Sequence, residues 1–173
     1  MKSIHIYIMG IALFIQSSVI AQVQSVSLQA RGLTCSMCSR AIYKSLQKVP
    51  NVANVQEDIE HSSYHVQFNN PALISPEKLK KAVLDAGFSV AWMEININFH
   101  NTEVASDSSL KFNDLIFYFV GVNKQLLNGE KKLLIVDKDY LQEDERKKIT
   151  STYAPGLSGG RGEKIYHVTL SKS

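Results

Sequence analysis

The stretch Gly32-Leu33-Thr34-Cys35-Ser36-Met37-Cys38 constrains this chain more than any other, because it holds the only two cysteines in 173 residues. Before it, Val26, Leu28 and Ala30 alternate with Ser27, Gln29 and Arg31, the period of a half-buried strand. After it, Cys38, Ile42, Leu46 and Val49 recur at spacings that gather them on one helical face, while Arg40, Lys44 and Lys48 project elsewhere. The thiols therefore belong to a loop between a strand and a helix. Two thiols at this spacing either close on one soft metal ion or oxidise to a disulfide.

Pro50 and Asn51 end the first helix. Val52, Val55 and Ile59, then Tyr64, Val66 and Phe68, mark two strands joined by a turn at Glu60-His61-Ser62-Ser63. Ser75-Pro76-Glu77 starts a second helix, with a hydroxyl at the N-cap, proline at the first helical position and a carboxylate at the positive end of the dipole. Leu79, Ala82, Val83 and Ala86 form its apolar stripe, Gly87 suits its C-terminal cap, and Phe88-Ser89-Val90 opens a fourth strand. The order predicts a βαββαβ unit of the ferredoxin-like plan within an α+β chain.

Parity slips beyond that point, with Phe88, Val90 and Trp92 on one face and Met93, Ile95, Ile97 and Phe99 on the other. A bulge or a domain junction explains such a slip, and a junction is favoured here. Asn101 to Ser109 reads as a polar loop, Leu115 to Val122 as an apolar strand, and Asn128-Gly129 as a hairpin turn before a strand from Lys132 to Val136. Asp139 and Gln142 resemble a capping box for a short helix to about Ile149, and Ile165 to Leu170 alternates again. This half fits a small five-stranded barrel of the OB type, or a plain sheet covered by one helix. The expected division is a leader at 1–21, a first domain at 22–92 and a small β-rich domain at 93–173.

Lys2, the apolar run Ile4 to Ile15 and the segment Val19-Ile20-Ala21 read as a cleavable export signal ending at Ala21. The run is too short for the roughly 20 residues that span a bilayer. The mature chain is then expected in a periplasmic or secreted setting, with no membrane association after cleavage, where exposed thiols oxidise unless a metal or a reductant protects them. A net charge of +3 with no clustered basic stripe argues against a nucleic-acid partner.

Residues of about 24–92 resemble the heavy-metal-associated domain family, which includes copper metallochaperones, the amino-terminal domains of copper-transporting ATPases and periplasmic mercury-binding proteins. The resemblance rests on Gly32 through Cys38, Ala41, Leu46, Val49-Pro50-Asn51-Val52, Val66-Gln67-Phe68 and Ala86-Gly87-Phe88. It implies that Cys35 and Cys38 are the metal ligands, that Leu33, where the family more often has methionine, is an apolar plug beneath the loop, and that Phe88 sits beside the site. Thr34 stands where zinc-handling members tend to carry aspartate, which leans toward Cu(I), with Hg(II) and Zn(II) as alternatives. The implied partner is a metal donor or acceptor protein, such as a copper-transporting ATPase or another thiol-bearing metal carrier.

Physical chemistry points the same way. Two thiolates without a neighbouring histidine or carboxylate leave zinc short of its usual four ligands but suit soft monovalent copper. An incoming thiolate adds before the outgoing one leaves, so such a site suits transfer. Helix dipole and free N–H groups favour the thiolate at Cys38. An inert disulfide would close a loop of about four residues, where the chain-entropy model gives its smallest stabilisation, roughly 2 kcal/mol. A thiol-disulfide oxidoreductase uses the same spacing, but here the strand order differs from the thioredoxin plan, no tryptophan precedes Cys35 and Ser36-Met37 replaces a proline-containing pair. The expectation is a non-enzymatic metal-binding protein, with the oxidoreductase, or a recognition module carried by the β-rich half, as alternatives.

Weaker signals carry bland readings beside sharp ones. Met37 is a thioether between the thiols or simply an exposed loop tip, and His61 is a third ligand or a surface turn residue. His65, His100 and His167 sit in strand patterns without ligand spacing. Arg40, Lys44, Lys48, Lys78, Lys80 and Lys81 form a docking face for an acidic partner or a solvated helix surface. The glycines from Gly156 to Gly162 precede no helix pattern, so they read as a loop rather than a phosphate cradle.

Overall fold

The computed structural model describes residues 21–33, 36–153 and 164–171. Residues 1–20 of the expected leader, Thr34, Cys35 and the Gly156–Gly162 stretch lie outside the described residues. The first half is β1 (Ala21–Arg31), α1 (Ser36–Gln47), β2 (Val52–Asp58), β3 (Ser63–Phe68), α2 (Pro76–Asp85) and β4 (Ser89–Val104), the βαββαβ order expected from the sequence. Ile42 and Leu46 of α1, with Leu79 and Val83 of α2, are fully buried in the core formed by Val26, Leu28, Tyr64, Val66, Met93 and Ile95. Ser75 caps α2 through Lys78 N–H, and Phe88 N–H returns to the Val83 carbonyl at 3.1 Å beyond Gly87, closing the helix as its sequence signals predict.

Several boundaries differ from expectation for identifiable reasons. β1 begins at Ala21 rather than Val26, because a register shift between Val23 and Ser25 resets the parity and lets both Val23 and Val26 be buried. β2 ends at Asp58, leaving Ile59 65% exposed in the turn instead of in the strand. The slip near Ala91 is a bulge: Gln29 pairs with Trp92 and Ala30 with Val90, and β4 runs unbroken to Val104. The first four residues of the expected loop, Asn101 to Val104, are thus strand.

The rest of the chain is β5 (Ser109–Phe112), β6 (Leu115–Phe119), β7 (Gln125–Ile135), α3 (Glu143–Tyr153) and β8 (Lys164–Leu170). Among the described residues these strands do not close into a barrel of the OB type. They extend the first four into one eight-stranded sheet ordered β2-β3-β1-β4-β7-β8-β6-β5. β4 is the seam, paired with β1 on one edge and β7 on the other. Phe117, Phe119, Leu133, Ile135 and Val168 continue the same buried cluster.

Asn128-Gly129 is not a hairpin turn. It lies within β7, where Phe99 faces Gly129 and Thr102 faces Leu127, so β4 carries an extra residue across this point. Gly129 at φ 71° and Asn101 at φ 46° take up the irregularity. Asparagine and glycine tolerate this left-handed backbone, so a dipeptide suited to a turn serves equally in a bulge. The helix expected from Asp139 to Ile149 starts and ends later: Asp139 lies in a turn at φ 69°, the Gln142 carbonyl accepts Arg146 N–H at 2.8 Å, and α3 has three acidic residues in its first turn.

One buried contact fastens α2 to the segment before α3. Tyr140, 4% exposed, donates its hydroxyl to Glu77 Oε2 at 2.6 Å, its ring lies 4.6 Å beneath Lys80 Nζ, and it meets Tyr166 edge-on. Burial pushes the Tyr140 phenol well up, so it stays a donor.

Candidate metal centre

Antiparallel pairing of β1 with β3 and β4, and of β2 with β3, brings three connections to one end of the sheet: the thiol loop after β1, the β2–β3 turn and the α2–β4 turn. Gly32, at φ 80°, turns the chain out of β1. Leu33 and Phe88 are both half-buried and packed against the main core, so the plug and neighbour positions implied by the family resemblance are apolar supports in the fold. The start of α1 is tied down by Tyr64, whose buried hydroxyl donates to the Ser39 carbonyl at 3.1 Å.

Cys38 lies in the first turn of α1, half-buried, and is disulfide-bonded in this structure. Cys35 lies outside the described residues. Met37 is 80% exposed, the loop-tip position of the bland reading. His61 occupies the turn expected for it, beside the end of β1: Gln29 Nε2 donates to the His61 carbonyl at 2.6 Å and Ala30 N–H to the Ser62 carbonyl at 3.2 Å. Its imidazole is engaged locally, with Nδ1 2.8 Å from Asp58 Oδ2, and that hydrogen bond raises its pKa. Among the described residues no three His, Cys, Asp or Glu side chains converge.

The basic helix surface divides. Arg40, Lys44, Lys48 and Lys78 are exposed, whereas Lys81 pairs with Asp85 at 2.7 Å and Lys80, with its side chain only 15% exposed, turns toward Glu77 and Tyr140. A docking face that includes Lys80 is therefore not formed. The strand histidines have structural partners: His65 Nδ1 lies 3.2 Å from Ser27 Oγ, and Asp137 holds His167 through both Nδ1 at 2.7 Å and the backbone N–H at 2.9 Å. His100 is exposed. Sequence reasoning did not single out the polar face of the sheet, where Asn96 Nδ2 bridges Ser25 and Ser27. Its signal was present in the polar parity of Ser25, Ser27, Glu94 and Asn96. Among the described residues no helix is long and apolar enough to cross a membrane.

Comparison with known proteins gives a consistent result. The heavy-metal-associated domain family matches residues 27–89. The chain is 38% identical over 68 residues to the mercuric transport protein periplasmic component of Serratia marcescens, covering 39% of this chain and 74% of that protein. It is 31% identical over 65 residues to the COP-associated protein of Helicobacter felis, covering 38% of this chain and 96% of that protein. Copper-transporting ATPase 1 of Mus musculus matches at 32% identity over 68 residues, which span 39% of this chain but only 4% of the ATPase. The family match spans the thiol loop, and the mercuric transport component and the COP-associated protein are each matched over more than two thirds of their length, so the chain belongs to the heavy-metal-associated domain family.

Proposed function

We propose that this protein is an exported carrier, not a catalyst, that takes up Cu(I) between the thiolates of Cys35 and Cys38 and passes it to a thiol-bearing partner such as a copper-transporting ATPase or another metal carrier. The observation that carries the reading is the Cys-X2-Cys pair at the start of α1 inside the matched domain. Support for copper comes from the two-sulfur donor set, from Thr34, and from relatives named for copper transport. Relatives named for mercuric transport support Hg(II) as the competing cargo. The oxidised Cys38 must first be reduced by a dithiol donor, which takes up the disulfide as its own and leaves two thiols whose protons the metal displaces.

Anaerobic titration of the reduced protein with Cu(I) against a chromogenic chelator tests this directly. Stoichiometric binding abolished in Cys35→Ser and Cys38→Ser supports the reading, and binding no better than that of the double variant ends it. A parallel titration with Hg(II) ranks the two cargoes. The disulfide at Cys38 favours one second reading, thiol-disulfide exchange catalysis. Accelerated reduction of insulin by the full chain would select that reading over metal transfer.

A further inference from the structure

Beneath the start of α1, an otherwise apolar layer holds a polar trio. Leu28, Ile42, Leu46 and Val66 of this layer are fully buried. Tyr64, buried among them, donates its hydroxyl to the Ser39 carbonyl at 3.1 Å, and Ser39 is itself buried. Glu57 stands directly across from Tyr64 in the β2–β3 ladder, so the two side chains share the face that α1 covers. The Glu57 charge acts on the phenol, and its Oε1 is shut off from solvent without a hydrogen-bond partner. An unpartnered buried acceptor destabilises a fold, and an apolar cross-strand pair would fill this space without that cost. Folds break the rules of core packing chiefly at working sites. This one adjoins Cys38, the residue before Ser39.

Helix geometry gives the Ser39 carbonyl one donor, the N–H four residues on, and its second lone pair takes the Tyr64 hydroxyl. Tyr64 is a rigid post for this bond, because it pairs with Leu28 of β1 on one side and with Glu57 of β2 on the other. Burial raises the phenol pKa, the bond to Ser39 works against it and the Glu57 charge adds to it, so the hydroxyl keeps its proton and remains a donor. The bond matters unequally in the two redox states. Cys38 is disulfide-bonded in this structure, and a covalent bond at that residue already fixes the first turn of α1. In the reduced chain the turn depends on hydrogen bonds, and without this one it frays and carries the Cys38 sulfur with it.

We propose that Tyr64 is a positioning residue for the thiol pair: its hydroxyl, donated to the Ser39 carbonyl, holds the first turn of α1 in the reduced chain, so that Cys38 meets its metal without first being ordered. This rests on the thiol pair being the working site argued above. Its main readout is the thiol–disulfide equilibrium of the metal-free chain, which needs no copper, so the two readings fail separately.

The full-length protein, free of metal and oxygen, is equilibrated with reduced and oxidised dithiothreitol in varied ratios, and the dithiol fraction is read by alkylation and mass. A dithiothreitol thiolate attacks the chain's disulfide, and its second thiol then closes the cyclic disulfide, leaving two thiols on the chain. Tyr64→Phe removes only the hydroxyl and should shift this equilibrium about fivefold toward the disulfide, equivalent to about 1 kcal/mol. It should also lower the urea midpoint of the reduced chain more than that of the oxidised chain, and weaken Cu(I) binding by the reduced chain in the same direction. Ser45→Ala is the control for a loosened helix, since it deletes the bond from Ser45 Oγ to the Ala82 carbonyl, 2.7 Å long, toward the other end of α1. Its thiol–disulfide equilibrium should match that of the parent. An unmoved equilibrium in Tyr64→Phe, a shift toward the dithiol, or an equal shift in Ser45→Ala overturns the positioning role. The expected redox shift in a protein that binds no Cu(I) upholds that role and overturns the copper reading alone.

Discussion

Cutting the chain after Trp92, where the sequence favoured a domain junction, should abolish folding of the first half, because β4 continues to Val104. A fragment of residues 21–92 keeps only the β1–β4 pairs of Gln29, Ala30 and Arg31, and loses those from Ala21 to Leu28. It also removes Met93, Ile95, Ile97 and Phe99, each 0% exposed. At about 1.5–3 kcal/mol for burying each such side chain, the loss is about 6–12 kcal/mol. That figure is an upper estimate, since the unfolded chain already shields part of this surface. It still matches the whole stability of an ordinary domain, about 5–15 kcal/mol. A fragment ending after Val104 retains the full β1–β4 ladder and should recover secondary structure. Thermal melts by circular dichroism and amide NMR dispersion distinguish the two. A cooperative melt of the shorter fragment close to that of the longer one would refute the argument that β4 is a shared strand.

Gly129→Ala should cost about 1–2 kcal/mol in urea unfolding, all of it from the backbone, because Gly129 sits at φ 71° and an added Cβ meets nothing within 4 Å. An unchanged midpoint would mean that the bulge relaxes to another register. Tyr140→Phe should cost about 1 kcal/mol, below the roughly 1.5–3 kcal/mol of a hydrogen bond to a charged group, since Glu77 remains 62% exposed and can hydrate. Burial raises the Glu77 pKa, but the hydrogen bonds from Tyr140 and Lys80 outweigh it and leave it lowered. A lowered folded-state pKa gives stability that is complete above the unfolded glutamate value, about 4.3, and lost as pH falls through the folded value. Stability should therefore drop on acidification through that window, and drop less in Tyr140→Phe, as followed by denaturant melts at stepped pH.

The thiol loop and the elements that flank it were the most legible part of the chain. Two cysteines at a fixed spacing after a strand and before a helix carry their chemistry locally, as do the Ser75-Pro76-Glu77 start of α2 and the alternation of Tyr64, Val66 and Phe68. What eluded sequence reading shares one property: it depends on a partner distant in the chain. A parity slip at Ala91 is compatible with a junction or a bulge until β1 is seen to pair across it. Likewise Asn128-Gly129 is compatible with a turn or a bulge until Phe99 is found opposite Gly129.

Local residue types thus determined the helices, most strands, the βαββαβ order and the thiol pair. Only the tertiary structure decided that the later strands join the same sheet through β4, that Tyr140 locks onto Glu77, and that Ser25, Ser27 and Asn96 line a sheltered groove. Backbone propensity and amphipathic period act within a few residues, whereas strand order, register and cavity walls are set by which distant surfaces bury one another best.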